Sequence, residues 1–194
     1  MRIVAGEFKG RRLVAPPGES TRPTTDRVRE ALFSSLTSLL GPGLGRGAAL
    51  DAFAGSGALG LEALSRGMSC ATFVECERAA LGALNANIAS LGLDARGPVI
   101  QGDSLALAQR GAIRGGPFAL LLLDPPYRLD AGEVSRLTSQ LMAHDLLEDG
   151  AVIVYEHASG VSVSWPAGVS PIATKRYGST EMDLASYEKG TESA

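Results

Sequence analysis

Four consecutive residues, Asp124, Pro125, Pro126 and Tyr127, have the types and the order needed for chemistry on a flat amino group. They follow an apolar run, Phe118–Leu123, which predicts a buried strand that ends at the aspartate. The prolines stiffen the exit of this strand and leave carbonyl oxygens free to accept hydrogen bonds. Asp124 and the Pro125 carbonyl can then accept the two protons of an exocyclic amine, while Tyr127 stacks on an extruded base. This arrangement predicts methylation of a base amino group.

A glycine-rich segment upstream has the spacing of a nucleotide-binding turn. Gly55, Gly57 and Gly60 follow one predicted strand and open a predicted helix, so the backbone can approach a ligand and offer free N–H donors. The same spacing is typical of dinucleotide-binding proteins, so alone it is a weak indication. Its position after the first core strand places it where ligands bind in open α/β sheets.

Two acidic residues follow the next two predicted strands. Glu75 ends the second strand, at the distance at which an acidic residue meets ribose hydroxyls in this kind of fold. Asp103 comes just after the third strand and could accept a hydrogen bond from an adenine amino group. Each residue could instead cap the helix that follows it. Together with the glycine turn, the two carboxylates indicate an adenosine site.

The remaining pattern predicts the elements that hold these residues. Strands and helices alternate from residue 48 onward, and the chain ends in two strand-like stretches around a turn at 178–180. This order predicts a doubly wound α/β sheet, mostly parallel, with an antiparallel C-terminal hairpin. The predicted strands are 48–53, 70–75, 99–100, 118–123, 151–155, 172–177 and 182–187, and the predicted core helices are 59–65, 78–91, 105–110 and 133–144.

The first 40 residues are expected to form an extension of this core. Two glycines between short apolar stretches predict a small β-hairpin over 2–14, and helical spacing predicts a helix from about residue 26 to 39. We therefore expect an N-terminal arm and helix at 1–40, a glycine-rich linker at 41–47, a cofactor-binding catalytic domain at 48–188 and a tail at 189–194.

Charge is unevenly distributed along the chain. The net charge is −3, yet the first 30 residues carry seven basic and four acidic side chains. A locally basic arm on an acidic body is suited to phosphate contacts at one end of the molecule, although a solvated surface would have the same composition.

Other compositional features narrow the class of protein. The chain has no apolar run near the ~20 residues of a membrane span, and the N-terminal apolar stretch is too short for a signal peptide. We therefore expect a cytoplasmic protein. Two cysteines and two histidines cannot form a zinc site at any usual spacing, so no metal is expected.

The longer motifs resemble one family in particular. The segments RIVAGEFKGRRL, RPTTDRVREALF, LDAFAGSGALGLEALSRG and KRYGSTEMDLASYE occur, with the Asp-Pro-Pro-Tyr motif, in the order found in the small-subunit ribosomal RNA methyltransferase D family. The likeness covers nearly the whole chain, and RPTTDRVREALF is far more specific than the glycine turn. Related amino-methyltransferases often carry Asn where this chain has Asp124, but an aspartate can also accept both amine protons.

The resemblance implies a class I methyltransferase with a seven-stranded, Rossmann-like sheet. Its expected reaction moves a methyl group from S-adenosyl-L-methionine to N2 of a guanine in 16S rRNA, within an assembled or assembling small ribosomal subunit, and its expected state is a monomer. The expected catalytic residues are Asp124, Pro125, Pro126 and Tyr127. The expected cofactor-binding residues are Asp51, Phe53, Ala54, Gly55, Ser56, Gly57, Glu75, Cys76, Asp103, Ser104 and Thr24. The expected RNA contacts are Lys9, Arg11, Arg12, Arg22, Lys175 and Arg176.

Other functions remain open at this point. The Asp-Pro-Pro-Tyr motif tolerates any planar amino group, so adenine or cytosine in DNA and a protein glutamine are alternative substrates. An NAD-dependent oxidoreductase would use the glycine turn but leave that motif without a role. A non-catalytic RNA-binding assembly factor is a further alternative. Glu156 and His157 follow a core strand and could also face the crevice.

Overall fold

The computed structural model describes residues 1–16 and 26–190 and shows one seven-stranded sheet. The strands are β1 (Ala48–Asp51), β2 (Cys70–Glu75), β3 (Val99–Gln101), β4 (Phe118–Leu123), β5 (Leu147–Ala158), β6 (Val169–Tyr177) and β7 (Thr180–Tyr187). Their order in space is β3-β2-β1-β4-β5-β7-β6. The strands β1 to β5 are parallel to one another, whereas β7 is antiparallel to both β5 and β6. The predicted doubly wound sheet with a reversed C-terminal hairpin is confirmed.

In the described part of the chain, five α-helices cover the two faces of the sheet. They are α1 (Asp26–Leu40), α2 (Ala58–Ser65), α3 (Arg78–Leu91), α4 (Ser104–Gln109) and α5 (Ala131–Ala143). Apolar side chains of α1, α2 and α3 pack with one face of the strands in one buried cluster. Those of α4 and α5 pack with the opposite face in a second cluster. The run Phe118–Leu123 is buried along its whole length, because β4 lies in the middle of the sheet and is covered on both sides.

The N-terminal arm packs against the core and forms a reduced version of the predicted hairpin. Its one antiparallel bridge joins Arg2 to Arg12. The buried Glu62 carboxylate of α2 accepts hydrogen bonds from the backbone N–H groups of Val4 and Ala5, at 2.7 and 3.0 Å. Ile3 belongs to the same apolar cluster as α1 and α2. The division into an arm, a linker and a catalytic domain stays a prediction, since the arm and the sheet share one core.

The C-terminal hairpin forms one edge of the sheet. β6 is the outermost strand, and its pairing with β7 shifts register between Pro171 and Ala173. Lys175 on β6 donates a hydrogen bond to the Ser35 hydroxyl of α1. The hairpin is therefore connected to the helix that covers the adjacent face.

Two kinds of feature are absent from the described part of the chain. Among residues 1–16 and 26–190, no helix has the length and apolar character needed to cross a lipid bilayer. Within the same ranges, no group of three or more His, Cys, Asp or Glu side chains is placed to hold a metal ion.

Candidate active site

A cleft of about 950 Å³ opens at the carboxyl ends of the central parallel strands. This is the edge at which open α/β sheets bind their ligands. The glycine turn, the ends of β2 and β3 and the Asp-Pro-Pro-Tyr motif all line it. The predicted site residues that line the cleft are Asp51, Phe53, Ala54, Gly55, Ser56, Glu75, Cys76, Asp103, Ser104, Asp124, Pro125, Pro126 and Tyr127.

Each of the three positions in the turn requires glycine for a different physical reason. Gly55 has a φ of 54°, and a Cβ there would meet no atom within 4 Å, so its backbone faces open space. Gly57 has a φ of 82° and lies just before α2, where a Cβ would approach Leu84 to 2.5 Å. A Cβ on Gly60 would lie 2.3 Å from the Phe73 ring. Gly55 alone of the three lines the cleft, while Gly57 and Gly60 allow α2 to pack closely.

Glu75 holds the glycine turn against the end of β2. One carboxylate oxygen accepts a hydrogen bond from the Gly55 N–H at 2.7 Å, and the other accepts from the N–H groups of Cys76 and Glu77 at 2.8 and 2.6 Å. Each carboxylate oxygen has further acceptor capacity. Glu75 can therefore both shape the turn and accept hydroxyl protons of a ligand in the cleft.

Asp51 is a second buried carboxyl group at this edge. Its side chain is 1% exposed, and it accepts a hydrogen bond from the Gly60 N–H at 2.9 Å. Burial raises the pKa of Asp51 to about 7, and the nearby Glu75 carboxylate contributes to this rise. The group fixes the start of α2 to the end of β1.

Asp103 and Ser104 begin α4, and both have structural partners. The Asp103 carboxylate caps the helix by accepting from the Ala106 N–H at 2.8 Å. The Ser104 hydroxyl donates to the Ala52 carbonyl. The capping alternative is therefore realised for Asp103, although its side chain also lines the cleft. For Glu75 it is not realised, since no side chain caps α3.

Asp124 and Pro125 present open acceptors to the cleft. Both residues line it, and no residue in the described ranges donates a hydrogen bond to the Asp124 carboxylate or to the Pro125 carbonyl. The Pro126 carbonyl, by contrast, accepts from the Leu129 N–H at 2.8 Å. Tyr127 is 58% exposed, so its ring is accessible to a ligand in the cleft. The geometry brings a carboxylate, a carbonyl and an aromatic ring to one wall.

Two other carboxyl groups, Glu156 and Asp51, influence the pKa of Asp124. Burial raises the pKa of Asp124 well above the usual carboxyl range, and the Glu156 and Asp51 carboxylates raise it further. A raised pKa makes the ionised carboxylate a better proton acceptor. The wall can thus bind a group that donates protons.

Two basic residues line the cleft: Arg29, which lies in the stretch 22–29 that the family resemblance implies beside the cofactor and substrate mouth, and Arg128, which sequence reasoning missed. Arg29 of α1 lines it with a side chain that is 1% exposed and donates to the Arg2 carbonyl and to Asp26. Arg128 also lines it and is exposed. Arg128 follows Tyr127 directly, which is a signal that could have been used. For Arg29 the family resemblance is the only signal, because its position depends on the packing of α1 against the arm.

Glu156 lines the cleft as well, whereas His157 does not line it. His157 is buried, with its Nε2 atom 3.1 Å from the Asp183 carboxylate of β7 and its Nδ1 atom 2.9 Å from the Ala158 carbonyl. The two adjacent residues therefore face different surroundings, and only Glu156 faces the crevice.

The predicted RNA contacts that lie within residues 1–16 and 26–190 do not line the cleft. Arg11 donates to the Ser90 carbonyl near the C-terminal end of α3 at 2.6 Å. Lys9 lies in the loop whose Phe8 N–H donates to Ser65, the last residue of α2. Since α2 begins at the glycine turn, this loop lies one helix length from the cleft. Arg12, Lys175 and Arg176 lie on the arm and on β6, and Arg22 and Thr24 fall outside the described residues.

The chain matches a family model and several proteins along most of its length. The family model, described as "Conserved hypothetical protein 95", matches residues 1–186. The Bacillus subtilis protein "Putative rRNA methyltransferase YlbH" is 36% identical over 97% of this chain and 99% of its own. "Ribosomal RNA small subunit methyltransferase D" of Escherichia coli K12 is 40% identical over 80% of this chain and 74% of its own.

Solved structures of similar proteins also match this chain along most of its length. The Escherichia coli structure described as "Putative methyltransferase yhhF" superposes with a TM-score of 0.81 and is 34% identical, over 97% of this chain and 98% of that one. A hypothetical protein of Thermus thermophilus superposes with a TM-score of 0.78 at 31% identity, over 97% of this chain and 99% of that one. The family likeness predicted from the motifs is confirmed, and with it the class I methyltransferase fold. The chain belongs to the ribosomal RNA small subunit methyltransferase D family.

Proposed function

We propose that this protein transfers a methyl group from S-adenosyl-L-methionine to the exocyclic N2 of a guanine in 16S rRNA of the small ribosomal subunit. Its relatives at 36% and 40% identity are named as rRNA methyltransferases, which supports the RNA substrate. The observation that carries the chemistry is the pair of open acceptors, Asp124 and the Pro125 carbonyl, in one wall of the cleft.

The chemistry of an exocyclic amine explains why two acceptors are needed. Its lone pair is delocalised into the ring, so the nitrogen is a poor nucleophile until it becomes pyramidal. Hydrogen bonds from its two protons to Asp124 and Pro125 favour that pyramidal form, which develops in the transition state. The nitrogen sheds one proton as it gains the methyl group. The Asp124 carboxylate, whose pKa is raised by its buried surroundings, is placed to accept that proton.

The other end of the cleft fits the cofactor. S-adenosyl-L-methionine supplies a methyl group already activated as a sulfonium, so positioning accounts for much of the rate. The open backbone at Gly55 leaves room for a ligand, and the Glu75 and Asp103 carboxylates line the same cleft and can accept hydroxyl or amino protons. We propose that these residues hold the adenosine part, with Phe53, Cys76 and Ser104 in the surrounding wall.

The RNA would enter on the side of the Asp-Pro-Pro-Tyr motif. Tyr127 is exposed beside Asp124 and would stack on the extruded base, which leaves the RNA helix to reach the cleft. Arg128 is an exposed cation that lines the cleft and would contact a neighbouring phosphate. Lys9, Arg11, Arg12, Arg22, Lys175 and Arg176 stay proposed contacts with more distant parts of the RNA.

The proposed setting follows from the substrate. The enzyme would act in the cytoplasm as a monomer on assembled or assembling small subunits. The proposed reaction requires no metal ion, because the methyl group arrives activated and the amine is oriented by Asp124 and Pro125.

The test is methyl transfer to small subunits that lack the modification, followed by mass mapping of methylated guanines in 16S rRNA. We expect one methylated guanine with the wild-type protein. Asp124→Ala should lower the rate at least about a hundredfold, because it removes a transition-state acceptor. The matched control is Asp94→Ala, since Asp94 is an exposed aspartate outside the cleft. A folded wild-type protein that methylates DNA or protein but no RNA would refute the proposed substrate.

A further inference from the structure

Asp124 has a carboxylate neighbour that the proposed reaction does not use. Glu156 lies near the end of β5, lines the same cleft and is 7% exposed. Burial raises the pKa of Asp124, and the charge of Glu156, which lines the same cleft, raises it further. The active-site wall therefore holds two acceptor groups side by side.

The strand register explains their common orientation. β4 and β5 run parallel, with Leu122 paired to Val154 and Leu123 to Tyr155. Continuing the alternation by two residues from Leu122 and Val154 places Asp124 and Glu156 on the same face of the sheet. This is the face covered by α1, α2 and α3, because Leu122 and Val154 belong to the cluster that contains those helices.

Two adjacent carboxylates suit one base better than the others. In guanine the N2 amino group lies next to N1–H, so the edge presents donors on neighbouring atoms. In adenine and cytosine the amino group lies next to a ring nitrogen that carries a lone pair. An ionised carboxylate only accepts hydrogen bonds, so it binds the guanine edge and repels the lone pair of the other two bases.

We propose that Glu156 accepts the ring N1–H of the target guanine and is the residue that selects guanine over adenine and cytosine. The inference rests on the proposed function, in which Asp124 and the Pro125 carbonyl hold the amino group. An analogue without the N1 proton would set its ring lone pair against the Glu156 carboxylate, which disfavours its binding relative to guanine. Glu156 is thus a specificity-determining residue in contact with the base.

The sharpest probe is 2-aminopurine, which keeps the 2-amino group but has no proton on N1. Small subunits would be reconstituted with guanine or 2-aminopurine at the nucleotide mapped in the experiment above. We expect the wild-type protein to prefer guanine by about a hundredfold or more in kcat/KM. Glu156→Gln should lower that preference at least about tenfold, since a glutamine amide can also donate to an unprotonated N1.

Two further variants separate specificity from structure. Glu148→Gln changes another glutamate of β5 that does not line the cleft, and it should leave the preference unchanged. Glu156→Asp keeps an acceptor-only side chain and should retain the preference for guanine with a lower rate. Thermal unfolding of each variant shows whether it is folded. If the Glu156→Gln variant is not folded, the Glu156→Asp variant decides, and loss of its preference for guanine over 2-aminopurine overturns the proposal.

The outcomes distinguish this inference from the proposed function. If Glu156→Gln lowers transfer to both bases by the same factor, Glu156 does not read N1, and the inference is wrong. If the wild-type protein methylates no guanine in any small subunit, the proposed function itself is wrong, and the inference falls with it.

Discussion

The buried carboxyl group of Asp51 affects both the stability of the fold and the position of α2 beside the cleft. It has no neighbouring cation among the causes that shift its pKa, which burial raises to about 7. The folded protein therefore binds a proton on Asp51 more tightly than the unfolded chain does. Its hydrogen bond from Gly60 fixes the first turn of α2, which follows the glycine turn of the cleft. Asp51 thus positions α2, but its ionisation above the folded pKa lowers the stability of the protein.

The raised pKa of Asp51 predicts how the free energy of unfolding changes with pH. The protonated form of Asp51 stabilises the fold below the unfolded pKa of about 4, and this contribution is lost as pH rises through the folded pKa near 7. The side chain introduced by Asp51→Asn does not titrate, so the variant lacks this pH dependence. The free energy of unfolding of the variant minus that of the wild type should therefore rise by roughly 4 kcal/mol between pH 4 and pH 8. Urea denaturation at several pH values measures this difference.

The comparison needs an exposed aspartate as a control. Asp94→Asn changes a residue on the surface and should give a curve parallel to that of the wild type. Parallel curves for Asp51→Asn as well would mean that Asp51 is already ionised in the folded protein at pH 4.

Residues at strand ends could be predicted from the sequence, but residues placed by packing could not. Asp124 and Glu75 each follow a clear apolar run, so their arrival at one edge of a parallel sheet follows from the alternation of strands and helices. By its residue pattern alone, Arg29 looks like one more basic residue of an amphipathic helix, and only the family resemblance implies that it lies beside the cleft. Its burial arises because α1 packs against the arm, where the Arg2 carbonyl and Asp26 accept its hydrogen bonds.

At the level of elements, α3 connects the arm to the glycine turn through one side chain. Asn87 is 1% exposed; its amide oxygen accepts from the Val14 N–H at 2.8 Å. Its NH₂ group donates to the carbonyls of Val14 and Ser56 at 3.0 and 2.9 Å. Three separate segments are held together at this point.

Removing this connection should destabilise the arm and the turn together. Asn87→Ala leaves the buried Ser56 carbonyl without its donor, so we expect a loss of roughly 2–3 kcal/mol in the free energy of unfolding. Hydrogen exchange at the Val14 amide should also become faster. Asn85→Ala, on the exposed side of the same helix, should stay within about 0.5 kcal/mol of the wild type. Equal losses in the two variants would contradict the connecting role of Asn87.

The elements themselves were predictable where the pattern was uniform. The predicted bounds of β2, β4 and α3 agree with the structure residue for residue. β5 was predicted from 151 to 155 but runs from Leu147 to Ala158. Its first half contains Glu148, Asp149 and Gly150, a polar stretch for which the sequence pattern predicts no element. Pairing of Phe118 with Leu147, followed by a register shift, keeps this polar stretch in the strand.

The whole molecule is held by cores on both faces of one sheet. Ile3 and Leu13 of the arm are buried in the cluster that contains α1, α2 and one face of β4. The single tryptophan, Trp165, packs against the cluster on the other face. If the sheet unfolds as one unit, a change in the arm must alter the unfolding measured at Trp165.

Ile3→Ala tests this cooperativity. Truncating a fully buried isoleucine should cost about 2–4 kcal/mol, and the unfolding transition followed by Trp165 fluorescence should shift as much as that followed by circular dichroism. Val14→Ala is the control, because Val14 belongs to the same arm but is 57% exposed. A Trp165 transition that stays in place while the circular dichroism transition shifts would show that the arm unfolds independently.

The outer strand β6 has a consequence for the behaviour of the protein in concentrated solution. An unpaired strand edge is a template onto which another chain can add, which leads to aggregation. Pro171 offers no N–H donor there, the register shift after it interrupts the regular ladder, and Lys175 and Arg176 add positive charge. The two basic residues proposed to contact RNA thus also discourage one copy of the chain from adding to another, whether or not RNA is bound.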